Sequence, residues 1–244
     1  MKSAVSSQQS AANGVSQFEQ DGFQIVESLI ENNECDFLSA ELTPLFEQQQ
    51  QTVKNRIGGL RNLLRTSLRV SRLAISAKIT SLLENIIGSS VFPVRAIFFD
   101  KNPAANWLVP WHQDLAIVVA GRIETPGFTG WSVKDKVLHV HPPRQILETM
   151  VTVRLHLDDC NAGNGALKII PGTHRHGKLG ATDIPKWTAN GELIDCQMSK
   201  GDGLLMRPLL LHSSSPAESP KHRRVLHIEY ATEKLPNGLK WLDR

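Results

Sequence analysis

The sequence predicts a mainly β fold, a sandwich or barrel, with α-helices covering its N-terminal side. Three observations lead there. Branched and aromatic residues crowd into short runs after Gly88: "FPVRAIFFDK", "HQDLAIVVAG", "TMVTVRLHLDD" and "RRVLHIEYA". Helical periodicity is confined to the chain before that point. No strand–helix–strand alternation follows it, which argues against a parallel sheet.

The elements can be justified in order. The opening "MKSAVSSQQSAANGVSQ" is polar and lacks the apolar stretch of a signal peptide, so residues 1–16 are expected to form a disordered leader. Residues 17–244 then make one domain, with a helical cover over about 17–90 and a β-barrel core over about 91–232. "DGFQIVESLI" reads as a strand from Asp21 to Ile30. A helix from Asn33 carries Leu38, Leu42 and Leu45, and Pro44 is expected to kink or shorten it. "SRLAISAKITSLLENIIG" reads as one helix capped by Ser71, lined by Ile75, Ile79, Leu82 and Ile86, and stopped by Gly88. Further on, Asn164-Gly165 is a tight-turn signal between "HLDD" and "LKII", and "PGTHRHG" and "SSSPAESP" are turn-rich. The segment 122–145 is rich in proline and reads as a loop inserted between two strands, a length that is usually functional or disordered.

Composition narrows the function. Of 244 residues 27 are basic and 24 acidic, a net +3, and Lys221–Arg224 is the longest basic cluster, which speaks against nucleic-acid binding. No apolar run is long enough to span a membrane. Cys35, Cys160 and Cys196 are far apart and form no CxxC pair, so neither a disulfide framework nor a cysteine-bound zinc is indicated, and a cytoplasmic location fits.

The chemistry starts from "NWLVPWHQDLAIVVAG". On a strand, residues two apart share a face, so His112 and Asp114 are expected to project together. A hydrogen-bonded structural pair is the bland alternative. His212 ends the apolar run "GLLMRPLLLH" beside a serine turn, and Arg223 opens the next strand eleven residues on. Two histidines and one carboxylate leave open coordination positions on a metal and mark non-haem Fe(II) oxygenases. An arginine nearby can hold a carboxylate with two parallel hydrogen bonds. The other histidines are weaker candidates. His139/His141 and His174/His176 share the spacing but lack a strand to hold it. His156 alternates with Arg154 and Asp158 and suggests a polar network, and His227 suggests a core or supporting residue.

Several segments in order carry a resemblance. "FEQDGFQIVESLI", "FFDKNPAANWLVPWHQD", "LHLDDCNAGNGALKIIPGTHRHG" and "GDGLLMRPLLLHSSSPAESPKHRR" resemble the phytanoyl-CoA dioxygenase family of Fe(II)/2-oxoglutarate oxygenases, over about Phe18 to Tyr230. The resemblance implies a double-stranded β-helix core, a cupin-like jelly roll. It implies Fe(II) bound by His112, Asp114 and His212, and 2-oxoglutarate as cosubstrate with O2. Arg223 would pair with the distal carboxylate of 2-oxoglutarate and Ser214 would help hold it. Arg154 stands where the family often has an aromatic residue, and could touch 2-oxoglutarate or an anionic substrate. Halogenating relatives lack the ligand carboxylate, so Asp114 points to hydroxylation, with succinate and CO2 released. The substrate is expected to be a small molecule, polar or anionic, with Trp131, Lys134, His139, His141 and Arg61 as candidate pocket residues. A non-catalytic cupin-like metal or ligand binder and a metal-dependent hydrolase are the alternatives. Neither needs a dicarboxylate clamp beside its third ligand.

Overall fold

The computed structural model describes residues 17–52, 58–218 and 221–242, so the leader expected over 1–16 lies outside the described residues. The strands, in chain order, begin with β1 (Phe23–Val26), β2 (Phe92–Lys101), β3 (Val109–His112) and β4 (Ile117–Val119). β5 (Thr129–Lys134), β6 (Val137–His141), β7 (Val151–His156) and β8 (Leu167–Ile170) follow. The last are β9 (Ile194–Cys196), β10 (Gly203–Met206), β11 (Leu211–Ser214) and β12 (Arg223–Ala231). They form a five-stranded sheet β1-β10-β7-β12-β2, a four-stranded sheet β3-β11-β8-β9 and a three-stranded sheet β4-β6-β5. The pairings are antiparallel, and from β7 to β12 the chain crosses repeatedly between the two larger sheets, as in a jelly roll.

The pleat of the five-stranded sheet sorts its side chains. On β2, Ala96 and Phe98 enter the helical core, while Arg95, Ile97, Phe99 and Lys101 line a cavity on the other face. On β12, Leu226, Ile228 and Tyr230 face the helices, and Arg223, His227 and Glu229 face the cavity. On β7, Arg154 faces the cavity between Val153 and Leu155, which do not. Period-two alternation thus builds an apolar outer face and a polar inner one from the same strands.

The outer face is closed by helices α1 (Asn32–Thr52), α2 (Leu63–Thr66), α3 (Leu68–Ala74) and α4 (Ala77–Ile87). α1 runs unbroken through Pro44, which sits on its exposed side. Cys35, Leu38, Leu42 and Phe46 form its buried stripe, in place of Leu45, which stays 43% exposed. Each such side chain contributes roughly 1.5–3 kcal/mol by burial, enough to offset one lost backbone hydrogen bond. The next helix divides. Ser67, not Ser71, caps α3 by accepting from the Val70 amide, and Gly88 stops α4 with a positive φ as expected. The break follows Ala74, whose carbonyl accepts from the Tyr230 hydroxyl at 2.9 Å, and it leaves Ile75 exposed. The strand expected over Asp21–Ile30 is confined to β1.

Two further expectations need correction. Residues 122–145 are no loop: they supply β5, β6 and the start of α5 (Arg144–Thr149). Asp135 and Lys136 close a two-residue hairpin there, both with positive φ (53° and 62°). Asn164-Gly165 does form a turn, with Gly165 at φ 83°, but it carries the chain from β7 in one sheet to β8 in the other. It is not a hairpin.

Candidate active site

β11 and β3 bring the two candidate metal-binding histidines together. His212 is directly opposite His112 in the β11–β3 register, and their ring centroids lie 4.2 Å apart. Asp114 lies just past the end of β3, so the strand pleat is not what sets it beside His112. Two other contacts do. Its amide donates to the Pro208 carbonyl at 2.9 Å. Gln113, which the sequence reading passed over, donates from Nε2 to Gly177 O (2.8 Å) and Leu209 O (2.7 Å) and accepts from the Leu179 amide (2.7 Å). That side chain is only 6% exposed and pins the segment between the ligands.

The donor set fits a divalent metal. His112 Nδ1 donates to Pro110 O at 2.8 Å and His212 Nδ1 to Leu210 O at 2.9 Å, which leaves both Nε2 lone pairs free. The two Nε2 atoms stand 3.6 and 3.7 Å from the Asp114 carboxylate oxygens, too far for direct hydrogen bonds. Asp114 Oδ2 is buried without a hydrogen-bond partner. Among the described residues, His112, Asp114 and His212 are the set whose ligand atoms all fall within 4.8 Å of one another. Burial works to raise the Asp114 carboxyl, but His212 and His112 override it and hold it well below the usual carboxylate range. Burial likewise pushes His212 down to about 4, so it is neutral and ready to ligate at pH 7.

The three candidate ligands open onto a cavity of about 480 Å³ lined from all three sheets. Arg223, 4% exposed, lines it with an Nε that has no partner among the described residues. Its neighbour Arg224 faces the other way, gripping both oxygens of Asp158 at 2.8 and 2.6 Å. Arg154 donates from Nη1 to His227 Nδ1 at 3.0 Å, not to His156, and its Nε is unpartnered. Because arginine can only donate, His227 Nδ1 is the acceptor and its proton sits on Nε2, towards Glu229 at 3.4 Å. Glu229 in turn accepts from Arg95 at 3.1 Å. His156 is buried, and among the described residues neither of its ring nitrogens has a hydrogen-bond partner. Ser214 also lines the cavity, with its hydroxyl donating to Gly165 O at 2.8 Å and accepting from Lys101 at 2.6 Å.

The candidate pocket residues divide. Arg61, Lys134, His139 and His141 line the cavity, the last three from the β5–β6 hairpin. His139 and His141 therefore do lie on a strand, contrary to expectation. Arg61 pairs with Asp135 at 2.7 Å. Trp131 lies outside the cavity lining and packs against the apolar cluster around Phe128 and Trp241, with Arg122 over its ring at 5.3 Å. His174 and His176 fall in a short 3-10 turn, where the His176 ring lies tilted against Trp187 at 4.8 Å between centroids. Lys101, Arg95, Phe99 and Glu229 were missed, although the alternation in "FPVRAIFFDK" points Arg95, Phe99 and Lys101 to one face.

Comparison with known proteins places this geometry. The sequence model of the phytanoyl-CoA dioxygenase (PhyH) family matches residues 18–225. The peroxisomal phytanoyl-CoA dioxygenase of Rattus norvegicus is 21% identical over 251 aligned residues, covering 88% of this chain and 66% of its own length. That of Mus musculus is 23% identical over 180 residues, covering 66% of this chain and 45% of its own. The chain thus spans less than two thirds of these relatives. The epimerase SnoN from nogalamycin biosynthesis, solved with Fe3+, alpha-ketoglutarate and nogalamycin RO, superposes with a TM-score of 0.69 at 15% identity, covering 95% of this chain and 92% of its own. AviO1 from Streptomyces viridochromogenes Tue57 does so with 0.67 at 21% identity, covering 93% and 96%. These structures share its fold.

Proposed function

Because the chain belongs to the phytanoyl-CoA dioxygenase family, we propose that it is an Fe(II)- and 2-oxoglutarate-dependent oxygenase that hydroxylates a small molecule. One observation carries the reading: a two-histidine, one-carboxylate set shares a cavity with a buried arginine whose Nε is unpartnered. His112, Asp114 and His212 would hold Fe(II), and three protein ligands leave three positions for cosubstrate and oxygen. Iron held there would supply, with 2-oxoglutarate and O2, the oxidising chemistry for hydroxylation, with succinate and CO2 as co-products. SnoN, which shares the fold, binds Fe3+ and alpha-ketoglutarate, and this supports the same cofactor pair here.

The protein's own contributions follow from its side chains. Pro110 O and Leu210 O orient the two imidazoles, and Gln113 fixes the segment between them. Arg223 would receive the distal carboxylate of 2-oxoglutarate, since a buried guanidinium binds a carboxylate with two charge-assisted hydrogen bonds. Arg154, held by His227, offers a second guanidinium in the same cavity, for either the cosubstrate or an acidic group of the substrate. Apolar walls such as Ile97, Phe99 and Leu167 keep bulk water from the reacting atoms. Lys134 and His141 at the hairpin suit a polar or anionic substrate. Presence of Asp114 favours hydroxylation over halogenation.

The test is succinate formation from 2-oxoglutarate with Fe(II) and O2, screened against small acids and their neutral analogues. Substrate-stimulated turnover that disappears in Asp114→Ala is the expected result. Metal binding without 2-oxoglutarate consumption under any condition would favour the non-catalytic binder.

A further inference from the structure

Arg154 of β7 and His227 of β12 stand directly opposite in register, and Nη1 donates to the imidazole Nδ1 at 3.0 Å. On the other flank of β12, Glu229 stands opposite Arg95 of β2 and accepts from it at 3.1 Å. Both pairs lie on the face that lines the cavity. They differ in charge. Arg95 meets a carboxylate, whereas Arg154 meets a neutral ring, since a guanidinium cannot donate to a nitrogen that carries a proton.

That difference leaves a buried charge uncancelled. Glu229 is diagonal to Arg154 across β12 and β7, a spacing that a long side chain can bridge. Instead His227 stands between them, with Nε2 at 3.4 Å from the same Glu229 oxygen that Arg95 holds. Phe99 packs on both partners: its ring is perpendicular to the imidazole at 6.0 Å, and the Arg154 guanidinium lies 6.0 Å above it. Arg154 is 7% exposed, its Nε has no partner, and among the described residues no carboxylate pairs with it. Burial, then Arg223, lowers it only to about 10, so it stays charged at neutral pH. A buried charge without a counterion is costly.

The charges around the cavity indicate what the counterion is. Arg61 pairs with Asp135 and Arg95 with Glu229, and Lys134 is exposed and screened by water. Arg223 is the other buried guanidinium that no carboxylate meets among the described residues. With Fe(II) and 2-oxoglutarate in place, the metal, Arg154 and Arg223 outweigh Asp114 and the two cosubstrate carboxylates by one positive charge. Lys101, when protonated, adds to the excess.

On the reading that this cavity binds Fe(II) and 2-oxoglutarate, we propose that the substrate carries an acidic group that pairs with Arg154, and that His227 is the positioning residue that keeps Arg154 available for it. The neutral Nδ1 holds the guanidinium in place without cancelling its charge. A carboxylate at 227 would hold it equally well and cancel it.

The test titrates matched acids and primary amides (butanoate and butanamide, hexanoate and hexanamide, phenylacetate and phenylacetamide) into the anaerobic protein saturated with Fe(II) and 2-oxoglutarate. In wild type the tightest acid should bind at least about tenfold better than its amide. Arg154→Met should lose that preference yet bind 2-oxoglutarate as wild type does. His227→Asn, which places an acceptor oxygen near the Nδ1 position, should keep it. His227→Asp has the same shape with a charge added and should lose it, whereas a packing role alone would affect both variants alike. A preference absent from wild type, retained in Arg154→Met or His227→Asp, or lost in His227→Asn overturns the proposal. So does an acid that binds only by displacing 2-oxoglutarate, or a loss of 2-oxoglutarate affinity of about tenfold in Arg154→Met, since the arginine would then serve the cosubstrate. A wild type that binds Fe(II) but not 2-oxoglutarate sinks the cosubstrate reading first, and this inference with it.

Discussion

His212 stands directly opposite His112 across β11 and β3, and each ring is tethered through Nδ1 to the carbonyl two residues before it in the chain. The two Nε2 atoms therefore converge from adjacent strands on Asp114, whose place is set by a separate contact to Pro208. Such an arrangement holds its shape before any metal arrives. Replacing Asp114 by alanine removes a charged ligand and should weaken Fe(II) or Mn(II) binding by more than the ten- to hundredfold typical of supporting residues. Equilibrium dialysis against either metal checks this.

Gln113 makes the next prediction. Its side chain makes three hydrogen bonds in a buried setting, and Gln113→Ala would strand the Leu179 amide and two carbonyls. We expect a loss of about 2–4 kcal/mol in urea unfolding, together with metal binding weakened about ten- to hundredfold. A variant with lowered stability but unaltered metal affinity would reduce Gln113 to a packing role.

Arg223 and Arg224 separate binding from stability. Arg223→Ala should weaken 2-oxoglutarate binding about ten- to a hundredfold or more, and Arg223→Lys, which keeps the charge but loses the fork, should fall between. Arg224→Ala breaks the two-pronged pair with Asp158 and should lower the melting temperature while cosubstrate binding stays near normal. Measured dissociation constants for the three variants decide the matter. If Arg224→Ala is the crippled one, the clamp is misassigned.

Acid should destabilise the fold through its buried neutral histidines. Burial, then Arg95, pushes His139 down to about 4, and burial, then Arg154, pushes His156 well below its ordinary value. The unfolded chain binds these protons near pH 6.5 and the folded one does not, so stability is full above about pH 6.5 and declines as pH falls towards 4. For His139 alone the loss by pH 4 is about 3 kcal/mol. Urea midpoints at about pH 7 and pH 5, compared with those of His156→Leu, should show a shallower decline in the variant.

The candidate metal-binding group was legible in the sequence because its residue types are chemically distinctive and its flanking runs are strongly β-forming. The reason first given for pairing His112 with Asp114, a shared strand face, was wrong: Asp114 leaves the strand and is placed by Pro208 and Gln113. That placement depends on chain distant in sequence, which no local pattern encodes. The hairpin over β5 and β6 escaped notice because Asp135-Lys136 adopts left-handed turn conformations without the Asn-Gly or Asp-Gly that usually marks them. Pro44 misled because its exposed position lets the packed stripe of α1 override local propensity. Lys101 stayed hidden because a lysine ending a strand reads as solvated: alternation puts it on one face with Arg95 and Phe99, but only the β2–β12 pairing sets it beside Arg223.

The central claim is that one cavity binds Fe(II) through His112, Asp114 and His212 and 2-oxoglutarate through Arg223. The most direct measurement is the visible absorption of the anaerobic protein titrated with Fe(II) and then 2-oxoglutarate. A weak charge-transfer band should grow to saturation at one cosubstrate per chain, be absent in Asp114→Ala, and require higher 2-oxoglutarate in Arg223→Ala. A wild-type protein that binds Fe(II) tightly yet develops no band at saturating 2-oxoglutarate would contradict it, as would a band unchanged in both variants.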